Sequence, residues 1–204
     1  NNIRFREGGK TLIIDNPSTA LADLYRVTMD HSSGTNTIPA CTLKRLVQDN
    51  NGTTTLSGAM TINETLDINA GVLDTSGSNH GLTVTKHIDI DGTLTGNASA
   101  ISTGTMTIRD GATLTSSGTI TVTGNDVANS PSGANWLWRQ LEDDGTGFAP
   151  TAGTVHFNHA SNLNGKHFNE SKFYNLTLTA GTGHDVAWTP KTANALTVSK
   201  DLTI

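Results

Sequence analysis

A repeat constrains this chain more than any other feature. The stretches LDINAGVLDTSG (66–77), IDIDGTLTG (88–96) and MTIRDGATLTSSG (106–118) share one pattern. Each carries two apolar residues two apart, then a Gly, a Leu, a Thr or Ser and a second Gly. The aligned apolar pairs are Leu66/Ile68, Ile88/Ile90 and Met106/Ile108, and the aligned leucines are Leu73, Leu94 and Leu114. A further short apolar pair follows as LTV (82–84) and ITV (120–122), with Ile101 as a weaker counterpart between them. The period, about 18–22 residues, falls in the range of solenoid proteins.

Side chains at i and i+2 lie on one face of a strand, and the Thr or Asp between them points the other way. A strand of roughly three residues cannot bury such a face alone. Stacking equivalent strands about 4.8 Å apart turns each aligned position into a column and closes a narrow core. Gly supplies corner angles that a Cβ would forbid, and β-branched Thr suits the outward positions. The expected fold is all-β: a parallel β-solenoid of short three-strand coils. Leu73, Leu94 and Leu114 should then form one column.

A second kind of repeat links the two ends. LYRVTMDHSSGT (24–35) aligns with FYNLTLTAGTG (173–183), and IRF (3–5) or VHF (155–157) precedes each. The STALADLY segment, which has some helical character, is therefore read as part of a coil. LTVSKDLTI (196–204) repeats LTVTKHIDI (82–90) but stops in mid-coil. We expect N-terminal coils over 1–50, regular Thr/Gly-rich repeats over 51–124, a loop or insertion over 125–150, and C-terminal coils over 151–204 that continue beyond Ile204 or are covered by another chain. The opening residue is Asn1, not Met, which fits a processed chain or a window of a longer one.

Composition agrees with a thin core. The 204 residues are 34% hydrophobic and 15% charged, both low for a globular protein, with Thr, Ser, Asn and Gly filling the difference. A net charge of −5 gives no basic face for nucleic acid. No apolar run is long enough to cross a bilayer as a helix, so no membrane insertion is expected. Cys41 is the single cysteine, which excludes an intrachain disulfide and suits a small buried hydrophobe.

Candidate chemistry is sparse. His156 and His159 come nearest to a metal motif, but an i, i+3 pair on a strand points to opposite faces, and no metal site or cofactor is expected. A calcium nonapeptide is absent, and DIDG lacks the further acids of a calcium loop. Asp67 and Asp89 fall at equivalent positions in neighbouring coils, a separation that suits a retaining glycosidase and equally two solvated acids. Glu142, Asp143 and Asp144 sit beside Trp136 and Trp138. That Trp pair is the candidate binding site: the indoles either close over exposed core or project as a platform for a glycan or a partner chain. No catalytic residue is assigned.

The phrases LTVTKHIDIDGTLTGNASAISTGTMTI and FYNLTLTAGTG…ALTVSKDLTI resemble repeats of large β-solenoid proteins of marine bacteriophage virions, tail fibres and other appendages, and also repeats of large bacterial surface adhesins. The likeness is best over 55–124 and 151–204. It implies an extended, mechanically firm segment on a virion surface or otherwise outside a cell, and it brings no catalytic motif. The expected function is a non-enzymatic fibre or spike segment supporting host attachment. It is expected to assemble with its own copies or other virion proteins, with a cell-surface glycan as a further partner. The alternatives are an adhesin or filament repeat and a β-helix polysaccharide depolymerase.

Overall fold

The computed structural model describes residues 2–12, 26–124, 137–140, 147–160, 163–164, 171–184, 186–187 and 196–204. The STALADLY segment lies outside them. Every strand pairing among the described residues is parallel, and no helix occurs there. The strands stack as a β-solenoid of about seven turns. Counting the outermost rungs, the longest hydrogen-bonded path runs through ten strands.

The spacing of apolar residues explains the stack column by column. On one side of the coil, Val27, Leu46, Leu66, Ile88, Met106 and Trp138 follow one another from rung to rung. On the second side Leu73, Leu94 and Leu114 form the expected column, buried to 0%, 0% and 3% exposure. On the third, Cys41, Met60, Leu82, Ile101, Ile120, Val155 and Leu176 stack. Burying a leucine of this kind is worth about 1.5–3 kcal/mol. The intervening Thr residues, such as Thr93 and Thr95 on Thr113 and Thr115, face outward and form their own ladders.

Two glycines show why corners need them. Gly71 has φ +67°, and a Cβ there would collide with the carbonyl oxygens of Asn50 and Gly52 in the coil below. Gly104 stands alone opposite Thr85 and Lys86, so the strand Ile101–Ile108 turns its corner with one residue fewer than Leu82–Ile90. A side chain at Gly104 would strike the Lys86 carbonyl.

The core is not apolar throughout. In the N-terminal coils Gln48 replaces an aliphatic rung, between Met29 and Ile68. Its amide donates to the Asn50 and Gly52 carbonyls at 2.9 and 3.0 Å, and Thr54 Oγ1 donates to Gln48 Oε1 at 2.6 Å. His31 and Thr54 are fully buried beside it, 3.5 Å apart. Such a layer is tolerated because its members satisfy one another.

The end repeats also take shape as coils. Ile3 and Phe5 pair with Val27 and Met29, while Val155 and Phe157 pair with Leu176 and Leu178. The two LTV copies differ in use. Residues 82–90 form one bent strand, whereas Leu196–Val198 pairs with Ser171–Phe173 in a separate sheet, and Leu202–Thr203 pairs with Asn175–Ala180. Within the segment read as a loop or insertion, Trp138–Gln140 forms a rung on Met106–Ile108. Residues 125–136 and 141–146 lie outside the described ones.

Leu94→Ala, in the middle of its column, should cost about 2–5 kcal/mol of unfolding free energy. Gly104→Val should be at least as damaging, because the obstructing atom is backbone. Denaturant unfolding of each variant measures both.

Candidate functional site

Thr65–Ile68 and the 87–90 part of Leu82–Ile90 are neighbouring rungs, and their register sets Asp67 directly against Asp89. Both carboxylates point outward and are largely covered, at 16% and 15% exposure. Asp67 Oδ2 and both oxygens of Asp89 accept hydrogen bonds. Arg45 Nε donates to Asp67 Oδ2 at 2.6 Å, and Thr65 Oγ1 donates to the same oxygen at 3.2 Å. Arg109 grips Asp89 with both ends of its fork, Nε to Oδ1 at 2.8 Å and Nη2 to Oδ2 at 2.6 Å. The Asp89 carboxylate pushes the Arg109 guanidinium further toward its charged form. A retaining glycosidase needs one such carboxyl free to give up a proton and the other free to attack. Here the adjacency is present, and the oxygens serve as anchors between coils.

The same arrangement recurs. Arg4 binds Asp30 at 2.7 Å, and Glu64 sits between Lys44 at 3.7 Å and Lys86 at 3.8 Å. Each pair joins one coil to the next. The hydrogen bond from Arg4, reinforced by Asn50, holds the Asp30 carboxyl below the usual carboxylate range.

Trp138 is fully buried. Its indole meets the rings of Phe148, Phe173 and Phe157 at centroid distances of 5.2, 5.7 and 6.1 Å. It closes the core where the aliphatic column gives way to an aromatic cluster, and it presents no open face on which a sugar could stack. Trp136, Glu142, Asp143 and Asp144 lie outside the described residues. His156 Nε2 contacts Thr179 Oγ1 on the next rung at 3.0 Å, and among the described residues no group of three His, Cys, Asp or Glu side chains is placed to hold a metal. Cys41 lies inside the third side, where burial pushes its thiol up to about 11.

A groove that no sequence pattern marked lies where the second side changes. Among the described residues the five-strand ladder runs as far as Thr113–Thr115, and Leu114 N–H donates to the Gly147 carbonyl at 2.8 Å. Beyond that bond the chain leaves a groove of about 280 Å³ between 114–117 and 149–152. Next to it is a niche of about 10 Å³ that shares Ser116, Pro150 and Ala152 with the groove and is also lined by Asn175. Ser116 Oγ and Asn175 Oδ1 are buried without a hydrogen-bond partner, and neither oxygen opens into the niche. Pro150, which has no N–H to extend a ladder, was the available signal for the groove.

No protein-family model, no curated protein and no solved structure matches this chain.

Asp89→Asn should lower stability by about 1–2 kcal/mol, since it discards a two-bond ion pair that is only partly exposed. Thermal unfolding in low and high salt checks this, with the difference from the parent shrinking in salt. For Asp30, the folded carboxyl titrates below its unfolded value of about 3.9. Its contribution is therefore complete above that value and is lost as pH falls through the lowered folded value. Asp30→Asn should flatten the acid side of the stability profile below about pH 4, as read by urea midpoints across pH. Cys41 should resist thiol reagents at pH 8 in the folded protein and react at once in denaturant.

Proposed function

We propose that this chain is a structural segment of a bacteriophage virion appendage, a fibre or spike that serves as an extended scaffold for host attachment. One observation carries the scaffold part of this reading: the parallel ladder runs through ten strands, with salt bridges tying coil to coil along its outer face. Such an architecture generates length and stiffness from local contacts alone. The assignment to a virion rests on the resemblance of the Thr/Gly-rich repeats to phage appendage proteins. On this reading the protein acts at the virion surface, without enzymatic turnover, alongside its own copies or other virion proteins. A bacterial surface adhesin or filament repeat would use the same geometry.

The stacking of Asp67 on Asp89 favours one further reading, a polysaccharide depolymerase. Gold-labelled antibodies against the chain separate the three. Decoration along fibres or spikes of purified phage particles is the expected result. Gold on a bacterial envelope, with particles unlabelled, would overturn the virion assignment in favour of an adhesin. Cleavage of host capsule that disappears in Asp67→Asn and Asp89→Asn would instead establish a hydrolase.

A further inference from the structure

The second side of the coil differs from the other two in what it shows to solvent. Its ladder runs through Thr35–Ile38, Thr53–Leu56, Val72–Asp74, Thr93–Thr95 and Thr113–Thr115, in register from rung to rung. Four of these five strands present Thr-x-Thr, at 35–37, 53–55, 93–95 and 113–115, with the middle residue turned into the core and both threonines at least partly exposed. Thr11 bridges to Thr37 and adds a sixth rung to one column. None of the eight outward hydroxyls bonds to another group among the described residues, whereas Thr54, which turns inward, donates to Gln48.

The remaining strand bends this pattern without breaking it. Val72 has the shape of a threonine, and Asp74 Oδ1 is held at the corner by Ser76 N–H at 2.8 Å and Asn97 Nδ2 at 2.7 Å. Asp74 is the one charged residue at the outward positions of these strands, while the first side carries the Arg45–Asp67 and Arg109–Asp89 pairs. The result is a neutral grid of hydroxyls and methyls, with repeats of about 4.8 Å across the rungs and about 6.6 Å along each strand. Stiff χ1 angles of the β-branched side chains keep those groups in one orientation from rung to rung.

Such a grid selects by period, not by shape. A dissolved small molecule is held in a concavity, and nucleic acid requires positive charge, which this side lacks. A polysaccharide surface calls for exposed aromatic rings, and no outward position of these strands is aromatic. Water oxygens on the prism face of hexagonal ice repeat along two perpendicular axes at spacings close to both repeats of the grid. Hydroxyls at that period occupy places the lattice gives to water, and the methyls beside them fit its hollows.

We propose that the Thr-x-Thr side is an ice-binding surface, on which the threonine grid joins the chain to a prism face of crystalline water. This goes beyond the appendage reading and does not depend on it.

The test is ice-affinity partition of the full chain, in which a slowly growing ice body takes up or excludes the dissolved protein. The chain should concentrate in the ice. Thr93→Tyr, in the middle of the grid, should abolish uptake, and Thr93→Val, which repeats the shape already present at Val72, should keep most of it. Thr113→Lys, at an exposed position of the end rung, should lower uptake with the core untouched. Thr83→Tyr, equally exposed but on the third side, should change nothing. Thermal melts of each variant establish that the fold is kept, and Thr113→Lys decides if Thr93→Tyr does not fold. The proposal is overturned if ice excludes the parent chain, if Thr93→Tyr and Thr113→Lys are both taken up like the parent, or if Thr83→Tyr loses uptake as they do. Adsorption to crystalline cellulose or chitin with exclusion from ice would also overturn it and assign the grid to a polysaccharide. Gold labelling of phage particles is indifferent to all of these outcomes, so the ice surface and the appendage assignment can fail separately.

Discussion

Everything in this molecule depends on like side chains meeting across a spacing of about 4.8 Å between parallel rungs. A three-residue strand has too little apolar surface to fold by itself, so stability exists only in the contact between one coil and the next. Register is then strongly fixed, because slipping one residue along a strand would turn Leu94 outward and Thr93 inward. The outward face adds a second, weaker bond of the same kind. Arg45 with Asp67 and Arg109 with Asp89 reach across coils, not along them, so charge reinforces the stacking that the core establishes.

Fold was legible where the pattern was strict. The i, i+2 pairs and the aligned leucines predicted the columns formed by Leu66 and Ile88 and by Leu73, Leu94 and Leu114, because a period of two admits one inward face. The corners were less legible. That 82–90 is one bent strand while 196–204 divides between two sheets depends on what lies beneath each copy, which a local repeat does not encode. Trp138 illustrates the same limit. Its sequence neighbourhood, free of the Thr/Gly pattern, suggests a loop, yet stacking on Met106 makes it a core rung. The sequence favours an indole that closes over core rather than a platform, and the column it joins is known only from the structure.

The candidate chemistry was legible in position but not in role. Alignment of repeats placed Asp67 against Asp89 correctly. The arginines that occupy them sit two residues off the matching column positions, on rungs about 20 residues away, so their partnership became visible only with the coil closed. Ser116 and Asn175 were invisible for a related reason. They come from different kinds of repeat and line one niche near the last rung that the second side shows among the described residues.

The direction of the bonds between rungs has a mechanical consequence. They run along the long axis, so a pull on the rod loads one seam after another in series, and the weakest seam sets the limit. A push is met by buried columns stacked from rung to rung, such as Leu73, Leu94 and Leu114. Such a body behaves as a strut rather than a cable, better suited to holding a tip away from a surface than to hauling on it.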